Sequence, residues 1–421
     1  MERRPPARAD SLASVPEIEI RCLTDAAAAA YDECIDVAFH EHTPQPRRER
    51  NRALLPYERT ACAFDGERLV GTSGAYPQRL SVPGGELPCA GVTVVTVLPT
   101  HRRRGILTRM MARLFEQARA AGEPLAALWA AEGGIYGRFG YGVAARHARI
   151  ELDGGSPAPA RDERRALQPE LRPLAGAEAE LAPLWERLRA RRAGVPARSE
   201  PWWRRRILDD PEHERDRRRP KRLVVVRDGD GVAQGYALYR ARGPEEAVEL
   251  EVLELIAPDP EAEAALWGFF CGVDLVERVI GELRPVDDAL PFRCADFRQP
   301  RVTLVEDALW LRLLDVAAAL AGRRWATALD LTLAVSDARL PHNDGAWRLE
   351  AAADGEARCA RSDRAPQLAL DVAALGAAFL GGTPLARLAD AGRVRELEPG
   401  ALDRLDAALR TPRAPWIPEF F

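Results

Sequence analysis

Apolar and polar positions along the chain change period several times, and those changes mark out its elements. Residues 18–23 alternate as a short strand, and an alanine-rich helical stretch follows. Residues 61–64 and 69–76 are apolar runs flanking Asp65-Gly66, a spacing that predicts a hairpin. Pro83-Gly84-Gly85 marks a second hairpin turn. The β-branched run at 92–97 predicts a strand buried on both faces, ending at Leu98-Pro99. After a turn at 102–105, Ile106, Leu107, Met110, Met111, Leu114 and Phe115 recur at helical spacing until Gly122. Residues 124–130 read as one further strand.

The same grammar then returns. Residues 223–226, Asp228-Gly229-Asp230-Gly231 and residues 232–239 repeat the strand, turn and strand of 61–76. Residues 252–256 take the place of 92–97, followed by Ala257-Pro258-Asp259-Pro260-Glu261, acidic where the first copy is basic. A tandem duplication with a degenerate second copy accounts for this; two unrelated α/β segments sharing a hairpin remain the alternative. Residues 154–176, rich in Gly, Pro and charge, read as a linker, and the Pro/Arg-rich start before Glu17 as a disordered tail. The last third begins near Val302, with a strand at 329–335, a turn at 341–345 and Ala/Leu-rich helices. It ends on Pro415-Trp416-Ile417-Pro418-Glu419-Phe420-Phe421, apolar where most termini are polar and frayed.

The whole-chain figures narrow the class. A chain of 421 residues, 47% apolar and 29% charged, is expected to be a globular protein of two to four domains. No apolar run approaches the roughly 20 residues that span a bilayer, and no signal-peptide core follows the start. The expectation is therefore a cytoplasmic protein without membrane contact. Seven scattered cysteines without a CxxC predict reduced, mostly buried thiols rather than a zinc site. His40-Glu41-His42 lacks further ligands at fitting spacing, so no metal is expected. A net charge of −4 offers no footprint for nucleic acid, and the Arg-rich stretches at 187–192 and 204–219, interleaved with acids, read as solvated helix faces.

Two segments carry chemistry. At residues 94–107 a buried strand runs into His101-Arg102-Arg103-Arg104-Gly105 and opens a helix. Unpaired N–H groups and the positive dipole end at such a start suit a pyrophosphate, and three arginines at the end where cations are disfavoured call for an anion beside them. The second segment is Ala131-Glu132-Gly133-Gly134-Ile135-Tyr136-Gly137-Arg138-Phe139-Gly140-Tyr141-Gly142. Either tyrosine there is chemically able to donate a proton at neutral pH.

The first segment resembles the acetyl-CoA motif R/Q-x-x-G-x-G/A of GCN5-related (GNAT) acetyltransferases, departing from it at Leu107. With the second segment and the terminal Phe, the chain resembles the Eis (enhanced intracellular survival) family of GNAT N-acetyltransferases over nearly its whole length. The resemblance implies an α/β (α+β) chain of tandem GNAT domains, the second degenerate, then a sterol-carrier-protein-like domain. Its divisions are a tail at 1–16, a catalytic domain at 17–160, a degenerate one at 161–301 and a last domain at 302–421. It implies acetyl-CoA held by Val95, Thr96 and Val97, by Arg103, Arg104, Gly105, Ile106, Leu107 and Thr108, and by Ala131 and Glu132. Tyr136 is then the general acid and the α-carboxylate of Phe421 the general base, with Phe39, Glu41 and Glu419 as acceptor-site candidates. The implied acceptor is an amine of a small molecule or peptide, polycationic as in aminoglycosides or lysine side chains, and the implied assembly a homohexamer. A different class of reading treats the chain as a carrier whose third domain holds a lipid or other small molecule.

Overall fold

The computed structural model describes residues 17–160, 167–215, 218–244, 247–353 and 355–421, so the 1–16 tail lies outside the described residues. The chain opens with β1 (Ile18–Arg21), α1 (Ala28–Phe39), α2 (Gln45–Arg52), β2 (Cys62–Asp65), β3 (Arg68–Val82) and β4 (Gly85–Val97). Both expected hairpins form, β2 on β3 and β3 on β4, the latter pairing from Val82↔Gly85 to Gly71↔Val97. Then come α3 (Ile106–Ala120), β5 (Leu125–Leu128), α4 (Gly133–Tyr136), β6 (Gly142–Val143) and β7 (Arg146–Asp153). Helix α3 buries Ile106, Met110, Met111, Leu114, Phe115 and Ala118, the one-sided stripe its spacing encodes.

The repeat follows as β8 (Gln168–Arg172), α5 (Glu178–Arg189), β9 (Arg222–Arg227), β10 (Ala233–Arg242), β11 (Glu249–Ile256), β12 (Arg278–Pro285), β13 (Arg301–Asp307) and β14 (Trp310–Leu313). Two seven-stranded sheets result, ordered β1-β2-β3-β4-β5-β14-β6 and β13-β7-β12-β11-β10-β9-β8. The two sheets exchange strands. β7 leaves the first segment to pair with β12 and β13, while β14 returns from beyond residue 302 to lie between β5 and β6. The third unit is a five-stranded sheet, β17-β16-β15-β18-β19, built from β15 (Leu329–Ser336), β16 (Gly345–Ala351), β17 (Ala357–Arg361), β18 (Leu368–Asp371) and β19 (Val394–Glu396). Its core is filled by Trp325, Phe379 and several leucines, all nearly inaccessible.

The third unit grips the first closely. Arg312 on β14 is fully buried and donates to both oxygens of Asp337, at 2.8 and 2.7 Å. Gly142 lies so near the helix at 372–378 that a Cβ there would sit 2.0 Å from Ala373 O. Among the described residues no helix is long and apolar enough to cross a membrane.

Three local expectations change. Residues 168–172, inside the supposed linker, form the edge strand β8, because their backbone pairs with β9 from Gln168↔Arg227 to Arg172↔Leu223. The run at 92–97 is buried only in part, since Thr93, Val94 and Val95 are half-exposed along a cavity and Val97 is half-exposed beyond it. The arginine stretches are not wholly solvated. Arg189 is buried against Glu86 at 2.5 Å, and Arg192 bonds Asp287 at 2.6 Å and the carbonyl of Ala414 at 2.9 Å.

Candidate active site

Strand β4 is the spine of the site. It pairs in parallel with β5 only from Cys89↔Leu125 to Gly91↔Ala127, so beyond Gly91 the two strands part. Val94 stands in the left-handed region (φ 47°), beside a register shift between Thr72 and Gly74 on the partner strand. Such a bulge bends a strand and re-aims its side chains. The side of residues 92–97 that β5 would occupy is thereby left open. Val95 lines the cavity; Thr96 is buried and turns its hydroxyl to Thr72 at 2.7 Å; Val97 takes a long bond from Arg102 on its carbonyl, 3.4 Å.

At the end of β4 the backbone turns twice into the left-handed region, at Arg103 (φ 64°) and Gly105 (φ 74°). Gly105 is the first cap of α3, whose opening N–H groups receive no side-chain cap. That leaves an anion site in which N–H groups and dipole act together. Nothing lies within 4 Å of where a Gly105 Cβ would be, so the approach is open. Arg103 and Arg104 are exposed beside it, with Arg104 held 3.6 Å from Asp65, which also faces His101 at 3.2 Å. Ile106 is buried as the anchor of the turn; Leu107 and Thr108 are half-buried. This loop and the open edge of β4 fit a pyrophosphate joined to an extended acyl-bearing arm.

The second motif forms α4 and the turn after it. Ala131 and Glu132 are exposed at its start, and Ala131 lines the cavity. Tyr136 lines the cavity too, 7% exposed. Burial, and then the charge of Glu132, push its phenol up to about 12. Tyr141 goes instead into the core, 1% exposed, packed 6.1 Å from the Phe115 ring and 6.0 Å from Tyr136. Of the two tyrosines, therefore, only Tyr136 reaches the cavity wall.

The cavity has a volume of about 300 Å³, and its far wall is the C-terminus. Phe421 lines it, 9% exposed. Phe420 packs on Trp129 at 4.1 Å between ring centroids, and its carbonyl accepts from Arg206 at 3.2 Å. Trp129 donates through Nε1 to the carbonyl of Glu419, 3.0 Å. The Glu419 side chain turns away from the cavity: its carboxylate accepts from Arg198 Nε at 3.1 Å and Trp202 Nε1 at 3.0 Å. Arg198 is in turn paired with Glu254 of β11. Phe39 and Glu41 do line the cavity.

Residues 19–144 match the family model described as Acetyltransferase (GNAT) domain, and residues 194–313 match a second model of that description. Residues 316–418 match the Sterol carrier protein domain. N-acetyltransferase Eis of Mycobacterium tuberculosis is 34% identical over 374 residues, which span 85% of this chain and 88% of that protein. The chain belongs to the Eis family of GNAT N-acetyltransferases. An uncharacterized N-acetyltransferase of Streptomyces coelicolor is 44% identical over 394 residues, covering 90% of this chain and 94% of that one. The crystal structure of Eis1 from Mycobacterium abscessus superposes with a TM-score of 0.82 at 34% identity, covering 96% and 100% of the two chains. A GCN5-related N-acetyltransferase from Anabaena variabilis shares the fold, TM-score 0.84, at 18% identity.

The Eis relationship makes this protein an acetyltransferase, a class that draws its acetyl group from acetyl-CoA, and settles the repeat as two GNAT domains. The second copy differs at the corresponding place. Its strands β11 and β12 also part after Val252↔Gly281, and Arg284 stands at the gap, bonded to Leu255 O at 3.0 Å, Asp288 at 2.7 Å and Glu263, in the wall of a cavity of about 350 Å³ that Trp416 also lines. At the helix start corresponding to α3, the Asp259 carboxylate caps the N–H of Glu261 at 2.8 Å, placing a negative charge where a phosphate would sit.

Residues that sequence reading passed over complete the site: Tyr31, Asp32, Asp36, Arg48, Asn51 and Arg52 in the cavity wall. Part of the signal was present in the run from Gln45 to Arg52, where Arg48 and Arg52 recur at the four-residue helical spacing and both line the cavity. Arg198, Trp202 and Arg206 hold the terminus and gave no signal. Their partners lie more than 200 positions away.

Proposed function

We propose that the Eis-family site transfers acetyl directly from acetyl-CoA to a primary amine, with Tyr136 as general acid and the Phe421 α-carboxylate as general base. The observation that carries the reading is that Tyr136, Phe421 and residues 92–95 of the open strand line one cavity. The acetyl-CoA site in this reading comprises Val95, Thr96 and Val97, then Arg103, Arg104, Gly105, Ile106, Leu107 and Thr108, with Ala131 and Glu132 opposite. The amine nitrogen, having lost a proton toward the carboxylate, bonds to the acetyl carbon. The carbon–sulfur bond breaks, and the Tyr136 phenol supplies the proton to the departing thiolate. A phenol held near 12 stays protonated at neutral pH, as a general acid must.

A carboxylate is a weak base for an ammonium near pKa 10, so its work includes holding the cation beside the acetyl carbon. The acceptor amine belongs to a small molecule or a peptide; polycations such as aminoglycosides or lysine-rich segments are the class the resemblance implies. The carrier reading gains no support from the third unit, whose interior is filled by its own side chains. We place the protein in the cytoplasm, consistent with its unpaired thiols, and its assembly as the homohexamer the resemblance implies. The exposed Val302, Leu304 and Val305 on edge strand β13 supply apolar surface for such contacts.

The decisive experiment converts the C-terminus to an amide by semisynthesis. Turnover measured by thiol release is expected to fall at least a hundredfold with acetyl-CoA binding unchanged. Full activity in the amide would remove Phe421 from the mechanism.

A further inference from the structure

Two of the three carboxylate side chains in the cavity wall are already occupied by the protein itself. Asp36 accepts from Thr43 N at 3.2 Å, from Thr43 Oγ1 at 2.7 Å and from Arg48. Burial pushes its carboxyl up, but the Thr43 and Arg48 bonds outweigh burial and hold it below the ordinary carboxylate range. Asp32, 7% exposed, is paired with Arg52. Both arginines come from α2, which is fastened to the second GNAT domain by Arg50, 3.1 Å from Asp209 and 2.7 Å from Glu214. Arg47 and Arg206 also line the cavity. Four guanidinium groups (47, 48, 52 and 206) thus stand against three side-chain carboxylates (32, 36 and 41) and the terminal one.

One of those four negative charges, at Phe421, is reserved for the reacting amine in the function proposed above. A polycation would bring its further ammonium groups to a wall with one unpaired carboxylate, Glu41 at the exposed rim. Like charges brought together at a binding surface cost several kcal/mol and serve to exclude the wrong ligand.

The wall nevertheless holds buried polar atoms without a protein partner: Tyr31 Oη, Asn51 Oδ1 and Arg52 Nε. Buried groups of this kind normally carry a hydrogen bond, so they point to a group that a ligand supplies. They are set among Leu23, Ile35, Leu55, Tyr57 and Tyr76, an apolar and aromatic surround. The volume of about 300 Å³ lies at the small end of ligand pockets and is shared with the acetyl arm.

We infer that the acceptor is a small monoamine on an apolar or aromatic body, carrying a hydroxyl or amide that seats on Tyr31, Asn51 and Arg52, rather than a polycation. The inference rests on the acetyltransferase reading and narrows its acceptor. Tyr31 and Asn51 supply acceptors and a rotatable donor, and Arg52 Nε supplies a donor for a ligand oxygen.

The test compares kcat/KM, by thiol release at saturating acetyl-CoA, for tyramine, tryptamine and phenylalaninol against spermine and kanamycin. At least one aromatic monoamine is expected to exceed both polycations by tenfold or more. The double variant Arg48→Gln/Arg52→Gln frees Asp36 and Asp32, and should raise the spermine-to-tyramine ratio at least tenfold. Polycations turning over faster than every monoamine in the wild-type protein would overturn the inference while leaving acetyl transfer standing. If acetyl-CoA binds by calorimetry but no amine of either class releases thiol, the acetyltransferase reading fails and this one with it.

Discussion

The hold on the C-terminus can be broken at one carboxylate, Glu419, which never touches the cavity. Docking residues 416–421 buries Trp416, Ile417 and Phe421 at 4%, 0% and 9% exposure. At about 1.5–3 kcal/mol each, that burial contributes roughly 5–9 kcal/mol. Fixing six backbone residues costs roughly 1–2 kcal/mol each, or about 6–12 kcal/mol together. The two nearly cancel, so the polar contacts decide whether the tail is seated. The Glu419 carboxylate takes bonds from Arg198 and Trp202, each worth about 1.5–3 kcal/mol for a charged acceptor. In Glu419→Ala, Arg198 keeps Glu254, so no unpaired buried cation results and the low end applies, about 3 kcal/mol for both. At about 1.4 kcal/mol per tenfold, the equilibrium constant for seating the tail should fall roughly a hundredfold, and kcat should fall with the seated fraction. Glu419→Gln keeps an acceptor oxygen and should stay within about fivefold of wild type, because Arg198 remains neutralised. The assay is thiol release at saturating acetyl-CoA, with carboxypeptidase release of Phe421 as the readout of undocking. Unchanged kcat in Glu419→Ala together with faster carboxypeptidase cleavage would sever tail position from catalysis. Unchanged values of both would refute the docking arithmetic.

Other consequences follow from the same geometry. Tyr136→Phe is expected to lower kcat by roughly 10²–10⁴, the range for a lost general acid, with acetyl-CoA affinity held by calorimetry within about twofold. Because its pKa is raised, to about 12, the acid form of Tyr136 is fully present below pH 10 and is lost only as pH rises through 12. The kcat profile should therefore show no Tyr136-dependent fall between pH 8 and about 10.5; a limb near pH 10 that vanishes in Tyr136→Phe would contradict the burial argument. Calorimetry should find one acetyl-CoA site per chain, since in the second copy Arg284 stands between the parted strands and Asp259 puts a negative charge at the helix start; two equivalent sites would refute that reading. Asp337→Ala strands Arg312 in the core and should cost about 3–5 kcal/mol in denaturant unfolding. A loss under 1 kcal/mol would mean that water reaches the guanidinium.

Local order was legible where one segment decides it. The Asp65-Gly66 and Pro83-Gly84-Gly85 turns, the α3 stripe and the left-handed Gly105 follow from residues within a few positions of each other. The strand exchange was not legible. β7 and β14 carry ordinary strand patterns, and nothing in their residues states which sheet takes them. The same limit applies to the site. Tyr136 and the basic loop stand out in sequence because their chemistry is local. Asp36 reads as one more helical acid until Arg48 is seen to cover it, and Glu419 reads as a cavity residue until Arg198 turns it away.

The exchange also bears on why a degenerate GNAT domain is retained. The second domain places Arg284 between its parted strands and an acid at its helix start, and its groups recur around the C-terminus. Arg198, Trp202 and Arg206 hold Glu419 and Phe420; Trp416 donates from Nε1 to Leu283 O at 2.7 Å and lines the same cavity as Arg284. Arg50 of α2 reaches across to Asp209 and Glu214. Two walls of the cavity, the terminus and α2, are therefore both fastened to the second domain. The base proposed above comes from the far end of the chain and must be placed to within a hydrogen-bond length. A rigid neighbour sharing strands with the catalytic sheet can provide that, whereas a flexible tether would spread the carboxylate over many positions. On this account the second domain serves catalysis by position, and substitutions in its Arg198–Glu254 pair should act on kcat through the tail rather than through acetyl-CoA.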